Sequence, residues 1–193
     1  MKKMFIFSLL AAFAFSFVAP ATYKIDPASS AIVWKAAKVT GTHQGTVKVK
    51  SGKLLFDGGK LTGGDLEIDM TTIKCTDLEG EWAGKLEGHL KSDDFFGVAT
   101  YPSAKFAVTG VKALDNNGNY EVSGNLTIKK STNPATIKLN ATESNGSVNA
   151  KGKLTIDRSK FDVRYGSTSF FDDLGDKAIY NDFDLEFALV AKK

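Results

Sequence analysis

Polar and apolar residues alternate along most of this chain after its first 21 residues. In the clearest stretch, Tyr120, Val122, Gly124, Leu126 and Ile128 share one face of an extended segment, and polar residues occupy the other face. Alternation of this length predicts β-strands with one face toward water and one toward a core. Eight or nine strands are expected. They span residues 22–26, 31–40, 44–56, 61–72, 103–113, 119–129, 135–142, 147–157 and 179–191.

Glycine- and asparagine-rich turns between the strands, such as Asn145-Gly146, favour tight reversals that join antiparallel neighbours. Two segments break the alternation. The first carries an apolar residue at every fourth position, which predicts a helix, and Ser92-Asp93-Asp94 then predicts a second helix start before Phe95 and Phe96. The second, residues 166–177, is irregular and is expected to cover an end or opening of the sheet. The helical stripe consists of Leu78, Trp82, Leu86 and Leu90.

Long antiparallel strands with one apolar face can close as a sandwich or as a barrel. An eight-stranded barrel is wide enough to hold one small ligand. The apolar faces also carry small residues, which leave room and therefore favour an internal cavity. These small residues are Ala104, Gly124, Ala135 and Gly152.

The first 21 residues have the order of a cleaved export signal. Lys2 and Lys3 precede the uncharged apolar residues 4–18, and Ala19-Pro20-Ala21 follows. The apolar stretch is shorter than the roughly 20 residues of a membrane-spanning helix. We therefore expect a signal peptide over residues 1–21, a mature domain over 22–193 and a periplasmic location. Loss of Lys2 and Lys3 lowers the formal net charge from +3 to +1, so no strong field for nucleic acid is expected.

Residues suited to catalysis are few in this sequence. Cys75 is the single cysteine, and His43 and His89 have no spaced partners that would complete a metal site. The acid pairs Asp93-Asp94 and Asp172-Asp173 are typical of capping positions. No catalytic residue, metal or cofactor is therefore expected. Arg158 and Arg164 are open to two interpretations: ties from a strand end to nearby carboxylates, or contacts to an anionic head group.

Several segments resemble, in the same order, the YceI family of lipid-binding periplasmic proteins, and together they cover Tyr23 to Ala191. The most specific is His89 to Phe96 followed by Tyr101-Pro102. Residues 129–134 depart from the turn that the family usually has after its leucine–threonine–isoleucine strand. The other matching segments are Tyr23 to Asp26 with Ser29, Ser30 and Trp34, Tyr120 to Ile128, Arg158 to Gly166 and Asp182 to Phe187.

The resemblance implies an all-β, lipocalin-like, eight-stranded antiparallel barrel with a short helical segment, whose bore holds a polyisoprenoid, an isoprenoid quinone-like lipid or another lipid chain for transport or storage. The family offers no catalytic residues to transfer. The alternation predicts a set of side chains that line the bore, with His43, Arg158 and Arg164 as candidate head-group contacts. The predicted lining is Trp34, Met70, Phe95, Phe96, Phe106, Val108, Val122, Gly124, Leu126, Ile128, Ile137 and Phe183.

Two other functions remain open from the sequence. A non-enzymatic surface or scaffold domain would bind protein or glycan and hold no internal ligand. A lipid hydrolase or isomerase would need a nucleophile–base pair, which the sequence does not display. A homodimer is compatible with either binding function.

Overall fold

The computed structural model describes residues 19–193, so the predicted signal peptide lies almost wholly outside the described residues. Within that range the chain forms nine β-strands, one α-helix and two short 3₁₀ segments. The strands are β1 (Ala21–Ile25), β2 (Ala31–Lys38), β3 (Gly41–Asp57), β4 (Lys60–Cys75), β5 (Ser103–Ala113), β6 (Asn119–Ile128), β7 (Ser131–Ser144), β8 (Ser147–Asp157) and β9 (Ile179–Lys192). The helix is α1 (Gly80–Lys91), and the 3₁₀ segments are Arg158–Phe161 and Gly175–Lys177.

The sheet closes into a barrel, as the resemblance implied, and not into a sandwich. Each strand from β4 to β9 pairs antiparallel with the next strand along the chain. This includes β4 and β5, although α1 lies between them in sequence. β9 then pairs with β2, β2 with β3, and β3 with β4. These pairings join eight strands in a ring, so each of them has a hydrogen-bonded neighbour on both sides.

The ninth strand, β1, lies against the ring and fills the space beyond the start of β2. Its residues pair with the second half of β3, where Ala21 faces Phe56, and its end pairs with β9, where Ile25 faces Ala191. β3 is long enough to pair with β2 through Val47 and with β1 from Lys53 onward. Strand β1 therefore completes the wall of the barrel at this end.

The predicted inward face is confirmed along β6, where all five of its residues are buried. On β8 and β9 the inward side chains include half-buried ones, such as Leu154, Phe183 and Leu185, because they border internal space. Alternation thus predicted which side chains point inward, and the structure adds that they do not fill the interior completely.

Helix α1 lies on β4 and covers one end of the barrel. The predicted stripe is correct for Leu86 and Leu90, whereas Leu78 precedes the helix and Trp82 is 68% exposed. The prediction that Ser92 starts a second helix is wrong. Ser92 is the C-cap of α1, with its backbone N–H donating to the carbonyls of Gly88 and His89, and residues 93–96 form a turn.

Candidate ligand-binding bore

The barrel encloses two adjacent cavities. The near chamber is at the α1 end and the far chamber is toward the end where β1 completes the wall; each has a volume of about 80 Å³. Either volume exceeds the roughly 10–15 Å³ that one buried water needs, so both are cavities and not packing defects. Ile68, Leu126 and Leu185 line both chambers and form a waist between them.

The near chamber is built from barrel strands and the turn that follows α1. Seven of the predicted lining residues border it, including Phe95 and Phe96 from that turn, whose rings pack edge to face at 5.0 Å. The turn brings aromatic side chains to the end of the bore, where strands alone would leave it open. The predicted residues here are Trp34, Met70, Phe95, Phe96, Leu126, Ile128 and Phe183.

The far chamber has a wall of aliphatic side chains and two phenylalanines, Phe106 and Phe187; only Gly63 and Asp65 interrupt the apolar lining. Five predicted residues border it: Phe106, Val108, Val122, Leu126 and Ile137.

Gly124 lies on the inward face but does not leave space for a ligand, so that prediction is wrong. A Cβ atom at Gly124 would lie 2.3 Å from Cζ of Phe106 and 2.6 Å from the backbone oxygen of Ala107. The Phe106 ring therefore occupies the space above the glycine. Nor is Gly124 a positive-φ bulge, since it is not among the residues with positive φ.

The same arrangement recurs at two other positions. A Cβ at Gly152 would lie 2.6 Å from Cζ of Phe187, its direct partner across β8 and β9. A Cβ at Gly45 would lie 2.4 Å from Cζ2 of Trp34, its partner across β2 and β3. In each case the missing side chain lets an aromatic ring lie over the neighbouring strand, so the ring forms part of the wall.

Arg158 is a structural residue and not an open head-group contact. Its side chain is 2% exposed, and its guanidinium donates four hydrogen bonds of 2.8–3.1 Å. The acceptors are backbone carbonyls, not the carboxylates that the sequence suggested. The guanidinium carbon also lies 5.3 Å from the centre of the Phe95 ring. Arg158 thus ties the end of β8 to the loop that follows it and to the first residues of β9. Its acceptors belong to Val163, Tyr165, Ile179 and Tyr180.

The three predicted head-group contacts do not meet at one point. Arg164 is exposed, is paired with Asp162 at 2.5 Å, and borders a surface cleft outside the bore. His43 lies on the barrel rim, where its Nδ1 is 2.9 Å from Oδ2 of Asp77.

Cys75, Asp77 and His43 form a small polar cluster at the end of β4. The Cys75 thiol donates to Oδ1 of Asp77 at 3.1 Å, so the carboxylate lies between the thiol and the imidazole. Burial raises the pKa of the thiol, and the hydrogen bond to Asp77 raises it further. Burial also raises the pKa of Asp77, but bonds from the Gln44 N–H, Cys75 and His43 outweigh this and hold it at about 2. A protonated thiol whose adjacent carboxylate has a pKa of about 2 is not an activated nucleophile.

A third cavity, the mouth, lies between the near chamber and solvent and has a volume of about 340 Å³. It shares five lining residues with the near chamber: Trp34, Ala36, Leu90, Phe95 and Ile179. Its other lining residues include the charged side chains Lys38, Asp176 and Lys177. The mouth is therefore one route from the near chamber toward the surface.

Sequence reasoning missed Leu90 and His89 as bore and mouth residues. Leu90 lines both cavities, and His89 packs against Tyr165 with ring centres 4.4 Å apart. The helical stripe contained Leu90, but nothing in the sequence showed which end of the barrel α1 covers. The turn residue Lys129, in the segment that departs from the family pattern, has φ of 52°, and its ammonium donates to the carbonyls of Phe95 and Asp162.

No group of three or more His, Cys, Asp or Glu side chains in residues 19–193 is arranged to hold a metal ion. In the same range, no helix is long and apolar enough to cross a membrane.

Several known proteins are similar in sequence to part of this chain. A UPF0312 protein of Shewanella denitrificans is 37% identical over 87 residues, which are 45% of this chain and 43% of that protein. A UPF0312 protein of Pseudomonas putida strain W619 is 31% identical over 123 residues, 61% of this chain and 60% of the relative. The matched segments thus span about half of the length of these relatives.

Solved structures share the fold over most of the chain. Burkholderia cenocepacia BcnA matches with a TM-score of 0.67 at 24% identity, covering 87% of this chain and 99% of that one. A polyisoprenoid binding domain from Saccharophagus degradans matches with a TM-score of 0.66 at 19% identity, covering 88% and 97%. The family model described as the YceI-like domain matches residues 23–191, and the chain therefore belongs to the YceI-like family.

Proposed function

We propose that this protein is exported and holds a long isoprenoid chain, either a polyisoprenoid or an isoprenoid quinone-like lipid, for transport or storage in the periplasm. The observation that carries the proposal is the pair of apolar chambers that follow one another through the barrel and share the waist of Ile68, Leu126 and Leu185. An elongated apolar space suits a slender chain better than a compact ligand. The structural likeness to the Saccharophagus degradans polyisoprenoid binding domain supports the same class of ligand.

Burial of the chain would supply most of the affinity. Each methylene transferred from water to an apolar environment contributes about 0.8 kcal/mol. The isoprenoid carbons buried in the two chambers would therefore add affinity with few polar contacts. The length of the bore, together with the rings of Phe106 and Phe187 that form its far wall, would set the preferred chain length.

Binding without catalysis is the second part of the proposal. Asp77 separates the thiol of Cys75 from the imidazole of His43, and Arg158 has four of its donors bound to backbone carbonyls. These contacts engage Cys75, His43 and Arg158 in structural roles.

Export is inferred from the sequence order of the first 21 residues. Cleavage after Ala21 would make Thr22 the mature N-terminus and would leave most of β1 in place. N-terminal sequencing of the protein from a periplasmic extract should give Thr22. Folded, cell-associated protein that retains Met1 would contradict this part of the proposal.

The ligand is tested by native mass spectrometry of protein purified from a membrane-containing host. We expect an adduct that disappears after extraction with organic solvent and returns when a polyprenol is added. Protein that is ligand-free in repeated preparations and refuses added polyprenol would instead favour a scaffold domain.

A further inference from the structure

Two buried side-chain atoms in the described residues have no hydrogen-bond partner, Nε1 of Trp34 and Nε2 of His89. They come from different elements, β2 and α1, yet both residues line the mouth. Trp34 also lines the near chamber, so it stands where the mouth meets the bore. Buried polar groups are paired in the great majority of protein structures, so two orphan atoms on residues that line one cavity call for an explanation, and a bound ligand supplies one.

The chemistry of these atoms restricts what can pair with them. An indole N–H only donates, so a partner of Trp34 must offer an acceptor oxygen or nitrogen. Burial lowers the pKa of His89; the charge of Arg158 lowers it further, while Asp94 opposes the shift. A neutral imidazole can donate or accept according to its tautomer, and a hydroxyl or carbonyl oxygen can satisfy it.

The surroundings disfavour a highly charged head group. A diphosphate needs several charge-assisted donors. Arg158 is the buried cation nearest this point, and its guanidinium already donates to four backbone carbonyls. Lys38 and Lys177 line the mouth, but Asp176 stands beside them and offsets part of their charge.

We propose that Trp34 Nε1 and His89 Nε2 form a subsite that binds the uncharged, oxygen-bearing head of an isoprenoid lipid whose tail lies in the bore. This inference rests on the proposed function, since it takes the tail to occupy the chambers. It assigns an orientation: the head lies at the α1 end and the tail extends past the waist toward Phe106.

The test compares three ligands with the same number of isoprene units: a polyprenol, a polyprenyl diphosphate and the corresponding hydrocarbon. Affinities are measured by retention of radiolabelled ligand on the delipidated protein. We expect the polyprenol to bind about tenfold more tightly than the hydrocarbon, which corresponds to a net hydrogen-bonding contribution of ordinary size. The diphosphate should bind more weakly than the polyprenol.

Variants separate a head-group role from a purely structural role. Trp34→Phe removes part of the wall as well as the indole N–H, so it should lower polyprenol affinity about tenfold more than it lowers hydrocarbon affinity. His89→Leu should act in the same direction, and His89→Gln should recover part of the loss. Trp82→Phe is the matched control, because Trp82 is an exposed indole on the same helix as His89 and should change neither affinity.

The fluorescence of Trp34 gives a local test of the same contact. The chain has two tryptophans, so the Trp82→Phe variant reports Trp34 alone by fluorescence. Polyprenol should change that emission more than the hydrocarbon does.

Equal affinities for polyprenol and hydrocarbon would overturn the subsite and leave the bore intact. Tightest binding of the diphosphate, or equal losses of polyprenol and hydrocarbon affinity in Trp34→Phe, would also overturn it. Failure of all three ligands to bind would remove the proposed function itself, and the subsite with it.

Discussion

The near and far chambers have similar volumes but differently built walls. The near chamber is bordered by the guanidinium of Arg158 and by rings from the turn after α1, and a hydrogen-bond network holds that end together. The far chamber is bordered almost entirely by side chains from the strands. Its shape depends on the rings of Phe106 and Phe187, which pack over Gly124 and Gly152. Hydrogen bonds to the backbone thus fix the wall of one chamber, whereas rings packed over glycines fix the wall of the other.

The largest loss of stability is expected at Arg158, because its substitution removes four hydrogen bonds beside the near chamber at once. Arg158→Met would remove one donor from each of four backbone carbonyls and should lower the free energy of unfolding by about 3 kcal/mol or more. For a domain of this size the melting temperature should fall by roughly 6–12 °C. Arg164→Met, at an exposed arginine, is the control and should change it little. Equal losses in the two variants would contradict the structural role of Arg158.

The far chamber should respond at Gly124. Gly124→Ala would press a methyl group on the Phe106 ring and on the backbone oxygen of Ala107, and overpacking of this kind costs about 1–3 kcal/mol. The displaced ring would enter the chamber, so the variant should also prefer shorter isoprenoid chains.

Gly110→Ala is the matched control for Gly124, since a Cβ at Gly110 would have no atom within 4 Å. Thermal melts and a chain-length series measured on both variants give the result. If Gly124→Ala keeps wild-type stability and chain-length preference, the far wall is not set by this ring.

A smaller effect is expected at Lys129, which joins the turn after α1 to the loop that follows β8. Lys129→Met removes the hydrogen bonds to the carbonyls of Phe95 and Asp162 and should destabilise the protein by about 1–2 kcal/mol. Lys130→Met is the control, because Lys130 is exposed and lies 3.5 Å from its partner Asp162. Denaturant unfolding of both variants should show a larger midpoint shift for Lys129→Met; the reverse order would contradict its bridging role.

The smallest effect is expected at Cys75. Cys75→Ser keeps a donor beside Asp77, and Cys75 lies at the rim, outside both chambers. Stability should change by no more than about 1 kcal/mol, and ligand retention should not change. Loss of ligand from Cys75→Ser under reducing conditions would show that the thiol has a function.

The sequence predicted the strands far better than it predicted the roles of single side chains. Alternation is a local signal, and the structure begins and ends β5 and β8 at the predicted residues. Ser92 shows the limit: its sequence has the features of a helix start, but the preceding helix runs up to it and makes it a cap at the other end.

The surroundings of Gly124 and the acceptors of Arg158 depend on the folded chain and cannot be read from the sequence. The space above Gly124 is filled by a residue of another strand, Phe106, and the partners of Arg158 are backbone carbonyls, which no residue type reveals. The orphan atoms of Trp34 and His89 likewise become visible only once β2 and α1 are placed beside the same cavity.

The most direct test of the central claim is a crystal structure of the protein saturated with a polyprenol. We expect continuous ligand density from the mouth beside Trp34, through the waist at Ile68 and Leu126, to the far chamber beside Phe106. Density confined to the outer surface, with both chambers empty, would contradict it.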